Sequence, residues 1–191
     1  METISIPTKI FSGIDSLDEL NNISNETVFM VCDSFLPNTE TLKEITGHIN
    51  NTNKLSIFSD VKPDPPLANI IKGVKKYINV KPTVVIGIGG GSAIDTGKAI
   101  RFFGEKILKQ NIKFFTAIPT TSGTGSEVTN TSVISDAETQ RKFPIMDDHL
   151  TPDYALLDPK LVTSAPKSVT AYSGLDVLTH SLESLVAKTL T

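Results

Sequence analysis

The chain has 191 residues, 39% hydrophobic and 20% charged, with 12 glycines, 11 prolines and a formal net charge of −3. That balance excludes disorder, collagen and coiled coil, and predicts one domain plus a remainder too small for a second core. Two arginines, Arg101 and Arg141, make no basic field for nucleic acid, and the single Cys32 excludes an intrachain disulfide framework.

Ile4 and Ile6, alternating with Thr3 and Ser5, suggest a short half-buried strand ended by Pro7. A short helix is expected around residues 15–21. The apolar run 28–32 reads as a strand covered on both faces. A helix over 38–49 and a strand over 55–58 follow. Pro65 and Pro66 suit the first turn of the next helix, whose Leu67, Ile70, Ile71, Val74 and Ile78 fall at helical spacing. Residues 83–88 predict a strand, 92–103 a helix and 114–118 another strand. Strands alternating with helices of this length give an α/β class with a doubly wound, mainly parallel sheet. After Thr129 the pattern changes: residues 132–134 and 142–145 read as a hairpin, 154–157 as one more strand, and the chain beyond Pro166 as helix. A boundary is therefore expected near residue 160, with an α/β domain over 1–160 and a helical segment over 161–191.

No basic and apolar leader is seen, and the longest aliphatic run, residues 84–88, is far below the roughly 20 residues of a membrane span. The chain reads as cytoplasmic, without membrane or nucleic-acid partners.

The most informative stretch runs from Val84 to Lys98: a buried strand, then Gly89, Gly90, Gly91 and Ser92, then a helix. Glycines let a backbone turn sharply and let a pyrophosphate approach, and a helix N-terminus offers free amides and a positive dipole end. A Walker A ending is missing, and no acidic residue follows some 20 positions later. A second loop, residues 119–129, carries six hydroxyl residues and two glycines one βα unit later. Asp33 directly follows the 28–32 strand, where a carboxylate can accept from ribose hydroxyls and repel a 2′-phosphate. A helix N-cap is the other reading of that aspartate. Cys32 beside it is expected to be strand packing, and His48 and His149 to be solvated. Asp176 and His180 stand four apart on one helix face, close enough to share an ion. Divalent sites normally need three or four protein ligands, so the pair alone reads as a surface pair.

Together, the segments 89–98 and 119–129, with the stretch from Leu157-Asp158-Pro159 through Pro166 to Asp176 and Glu183, resemble the iron-containing (group III) alcohol dehydrogenases. Among these the propanol and propanediol dehydrogenase branch looks most similar. The resemblance implies a doubly wound NAD-binding domain followed by a helical metal domain. In that frame Asp33 meets the adenosine ribose, while Gly90, Gly91, Ser92 and Asp95 hold the pyrophosphate and nicotinamide half. Thr120, Thr121, Thr124 and Thr129 line the dinucleotide from the second loop, with Lys142 nearby on the hairpin. Asp64 stands where relatives often have asparagine. Asp176 and His180 match two of four metal ligands, for Fe²⁺ by resemblance or Zn²⁺ by affinity. The remaining two are histidines further on, and no histidine follows His180. The expectation is an NAD-dependent enzyme interconverting small primary alcohols and aldehydes, present as a truncated chain that is inactive alone. Its exposed Leu182, Leu185 and Val186 invite self-association, so a homo-oligomer is expected, with a bacterial microcompartment as the alternative location. A zinc glycerol dehydrogenase or dehydroquinate-synthase relative, and a non-catalytic NAD-binding module, are the competing expectations.

Overall fold

The computed structural model describes residues 6–136, 139, 141–163 and 165–187. In chain order the elements are β1 (Lys9–Ser12), β2 (Thr27–Cys32), α1 (Glu40–Gly47), β3 (Lys54–Phe58), α2 (Leu67–Val80), β4 (Val84–Gly89), α3 (Gly91–Leu108), β5 (Phe114–Pro119), β6 (Thr131–Asp136), β7 (Arg141–Met146), β8 (Tyr154–Leu157), α4 (Pro159–Thr163) and α5 (Lys167–Val186). Short 3₁₀ turns cover Ser16–Asn22, Leu36–Asn38, Ser126–Val128 and Asp148–Leu150.

Six strands form one sheet in the order β1-β8-β5-β4-β2-β3, and every pairing in it is parallel. The second sheet is the antiparallel hairpin β6-β7. From β2 the chain steps outward to β3, returns past β2 to β4, and then steps the other way to β5. The winding therefore reverses between β2 and β4, and the crevice where an open parallel sheet binds its ligand lies at their carboxyl ends.

Two apolar layers sandwich the sheet. Alternate residues of β2 and β4 point to opposite faces, so Val28, Met30, Val84 and Ile86 join Leu42 and Ile45 of α1 on one side. Phe29, Val31 and Val85 join Ile70 and Tyr77 of α2 and Ile94 and Ile100 of α3 on the other. Strands covered on both faces need no polar alternation, which is why β2 and β4 read as unbroken apolar runs. Helix ends follow local chemistry: Thr39 Oγ1 caps α1 by accepting from the Leu42 amide at 3.3 Å. Helices α2 and α3 each stop at a lysine in the left-handed conformation, Lys81 and Lys109, whose amides donate back to Tyr77 and Glu105.

Several expectations shift. The strand expected at Ile4 and Ile6 falls largely outside the described residues, and Ile6 is exposed and outside any strand; β1 begins after Pro7 instead. Pro66 is the N-cap of α2 rather than a first-turn residue, because its extended backbone bridges to Ser135 of β6. Helix α3 runs five residues further than expected, to Leu108, and α4 was not anticipated. Among the described residues, no helix is long and apolar enough to cross a membrane.

Candidate dinucleotide cleft and flanking metal ligands

Three strand ends build one cleft. At the end of β2, the half-buried Asp33 carboxylate accepts from the Gly90 amide at 3.0 Å. Burial raises its pKa above the ordinary carboxylate value, and the Gly90 hydrogen bond opposes that rise. Gly89, the last residue of β4, has φ +137, and a Cβ there would sit 2.2 Å from Asp33 Oδ2. Only glycine permits both that backbone and that carboxylate.

Helix α3 then begins with Gly90 as its N-cap and no side-chain cap. Its first amides have no partners within the helix, and they face the cleft with the positive dipole end behind them. A Cβ on Gly91 would meet Thr124 Cγ2 at 2.8 Å, so the second loop lies directly against the first. The cavity is about 700 Å³, within the usual range for a ligand pocket, and Asp33, Gly90, Gly91, Ser92, Thr120 and Thr121 all border it. Apolar lining comes from Phe35, Leu36, Pro63, Leu161, Pro166 and Val169. A smaller cavity of about 260 Å³ opens at the amino ends of β1, β8 and β5, away from these groups.

The remaining expected cofactor residues sit behind or beside the cleft. Both Asp95 oxygens are engaged: Oδ1 accepts from Ser126 Oγ and Oδ2 from the Val133 amide at 2.9 Å. Thr129 turns its carbonyl and hydroxyl to Lys98 Nζ at 2.7 and 3.1 Å. Thr124 Oγ1 accepts from the Ser126 amide. Lys142 Nζ forms an exposed ion pair with Asp64 at 2.6 Å, and Asp64 itself has φ +48. Cys32 is fully buried, with its thiol pushed up to about 11 by burial and by the neighbouring Asp33 charge, which fits packing rather than chemistry.

Sequence reasoning passed over the polar face of α3. Lys98, Arg101 and Glu105 are buried and continue the core stripe of Ile94 at helical spacing. Charged residues at core positions were the available signal. Lys98 is pushed down to about 8, by burial first, against the opposing charges of Asp95 and Glu127. His149 is exposed, as expected, and its Nε2 also lies 2.5 Å from buried Glu105 Oε2, which is 3.4 Å from Arg101 Nε. His48 likewise has a partner, Asp18, at 3.3 Å.

On α5, Asp176 Oδ1 and His180 Nε2 are 3.7 Å apart and both about half exposed. Their spacing fits two ligands of one ion. Among the described residues, no group of three or more histidines, cysteines and acids could hold a metal. Helix α5 has no buried residue, and Tyr172, Leu175, Leu178, Leu182 and Leu185 are open to solvent. It touches the second loop where Gly123 meets Ser173; a Cβ there would lie 2.6 Å from the Ser173 carbonyl.

Comparison with known proteins places this arrangement. The 1-propanol dehydrogenase PduQ of Citrobacter freundii is 43% identical over 187 residues, 98% of this chain and 50% of its own length. The aldehyde-alcohol dehydrogenase of Streptococcus pneumoniae is 37% identical over 98% of this chain and 24% of its own. Thus the chain spans half or less of these curated relatives. Among solved structures, the sulfoacetaldehyde reductase of Bifidobacterium kashiwanohense in complex with NAD⁺ superposes with a TM-score of 0.89 at 27% identity. That match covers 98% of this chain and 54% of the other. A 1,3-propanediol oxidoreductase gives a TM-score of 0.84 at 25% identity, covering 98% and 53%. The profile of the iron-containing alcohol dehydrogenases matches residues 7–159, and the chain belongs to that family.

Proposed function

We propose that this chain supplies the dinucleotide half of an NAD-dependent dehydrogenase that interconverts small primary alcohols and aldehydes. The observation that carries the reading is the pairing of Asp33 with the Gly90 amide beside the uncapped start of α3, at the point where the sheet reverses its winding. Asp33 accepts from the adenosine ribose hydroxyls, and its charge disfavours a 2′-phosphate. The amides of Gly91 and Ser92 receive the pyrophosphate. Thr120 and Thr121 border the same cleft from the second loop. Support also comes from the NAD⁺ complex of the sulfoacetaldehyde reductase and from the likeness to 1-propanol dehydrogenase PduQ.

When bound, NAD supplies the acceptor for the hydride leaving the carbinol carbon. Asp176 and His180 contribute two ligands to a divalent ion, Fe²⁺ or Zn²⁺, which would polarise the alcohol oxygen. Residues 1–160 then form the cofactor domain, and 161–191 open a helical part that carries these two ligands. The exposed apolar face of α5 favours self-association, and the reading places the protein in the cytoplasm or inside a microcompartment.

Calorimetric titration with NAD, NADP and ADP tests the proposal. NAD and ADP should bind at one site, with NADP weaker. Absence of heat with all three overturns it, and a preference for NADP overturns the role of Asp33.

A further inference from the structure

Behind the cleft, α3 reaches across to everything that follows β5. Lys98 is wholly buried, and its Nζ donates to the Thr129 carbonyl at 2.7 Å, the Thr129 hydroxyl at 3.1 Å and the Thr131 carbonyl at 2.9 Å. One turn earlier, Asp95 takes Ser126 Oγ and the Val133 amide, and its own carbonyl accepts from Ser132 Oγ at 2.8 Å. Six hydrogen bonds thus run from one helical turn to residues 126–133. That segment contains the exit of the second loop and the start of β6. The same helix begins at the anion-binding amides of the first loop, so its register sets the separation of the two loops.

We propose that Lys98 and Asp95 are positioning residues, a two-armed clamp that fixes the second loop against the first and so sets the width of the dinucleotide cleft. This rests on the cleft being the NAD site, and it assigns Asp95 a task other than touching the cofactor. The chemistry of the arms is complementary. An ammonium gathers backbone carbonyls that would otherwise be unpaired in the interior, and a carboxylate gathers a hydroxyl and an amide. All three Lys98 protons are used, and each Asp95 side-chain oxygen already accepts one bond from the segment it holds. A clamp built this way also weakens with alkalinity. Lys98 faces Asp95 on its own helix and Glu127 on the 3₁₀ turn, and loss of its proton removes the charge that strengthens all three of its bonds.

Hydrogen exchange on the nucleotide-free chain tests the clamp without relying on cofactor binding. In Lys98→Met and in Asp95→Asn, amides over residues 120–136 should exchange faster while those of β2 and β4 stay protected. NAD titrated into Lys98→Met should bind about tenfold more weakly, a loss of about 1.4 kcal/mol. Wild-type affinity should fall as pH rises through about 8, whereas Lys98→Met should show no such fall. Unchanged exchange over 120–136 in both variants overturns the clamp, as does uniformly faster exchange through the whole sheet. If the wild type binds no NAD, the functional reading fails and the exchange data alone decide the clamp. If NAD binds both variants as tightly as wild type, the cleft remains a nucleotide site and the positioning role is refuted.

Discussion

Gly89→Ala puts the geometry of the first loop to the most direct test. The new Cβ would stand 2.2 Å from Asp33 Oδ2 and 2.8 Å from Ala93 Cβ, on a backbone with φ +137. Holding a non-glycine residue in that region costs about 1–3 kcal/mol. The carboxylate must also swing away, and the charge-assisted bond it accepts from Gly90 is worth roughly 1.5–3 kcal/mol. Together these amount to about 4 kcal/mol, against a total stability of about 5–15 kcal/mol for a domain. At about 2–4 °C per kcal/mol for a chain of this size, the melting temperature should fall by roughly 8–16 °C. The backbone and carboxylate contributions separate in an Asp33→Ala background, where the carboxylate is gone and only the backbone strain and the Ala93 contact remain. Urea denaturation of the wild type, both single variants and the double variant should give a coupling of about 2 kcal/mol. Equal effects of Gly89→Ala in both backgrounds would refute the claim that Asp33 packs against this residue. A loss below about 1 kcal/mol would refute the backbone argument as well.

Two further outcomes follow from the titratable groups. Burial raises the Asp33 pKa, so between the ordinary carboxylate value and that raised value the native state binds the extra proton. Its contribution to stability therefore grows as pH falls through this window, while NAD affinity falls because the acceptor is being protonated. Asp33→Asn should flatten both dependences, and wild-type NAD affinity that stays level down to about pH 4 would contradict the assignment. For the metal, two ligands on one helix turn should hold Zn²⁺ weakly, with the residual binding removed by His180→Ala. Metal retained stoichiometrically by the 191-residue chain through gel filtration, or alcohol-dependent NADH formation by it, would sink that expectation.

The parallel sheet was legible because its signals are local. Apolar runs as short as residues 28–32 fit strands buried on both faces better than helices, and the glycine-rich junction after β4 suits a sharp turn into a helix. Six of the expected cofactor residues do border one cleft. What the sequence could not show is where long-range partners take up side-chain capacity. The Asp95 oxygens meet residues 31 and 38 positions away, partners that no local pattern reveals. Lys142 finds Asp64 across 78 positions. His149 is exposed, as its polar surroundings suggest, but its partner Glu105 lies 44 positions earlier. The boundaries of α3 and the location of β1 moved for a related reason. Packing against α2 extends the one, and pairing with β8 defines the other.

Among the described residues strand β1 pairs with β8 alone, and Thr8 Oγ1 donates to the Pro152 carbonyl across 144 positions. During synthesis β1 thus cannot dock here until β8 has been made, since the neighbour described for it emerges some 140 residues later. Strands β2 to β5 can assemble meanwhile around their own crossovers. Closing a loop of that length is slow, and it leaves the free flank of β5 without a partner until β8 arrives. Slowed translation after β5 should therefore prolong an aggregation-prone interval, with the exposed flank of β5 as its point of weakness.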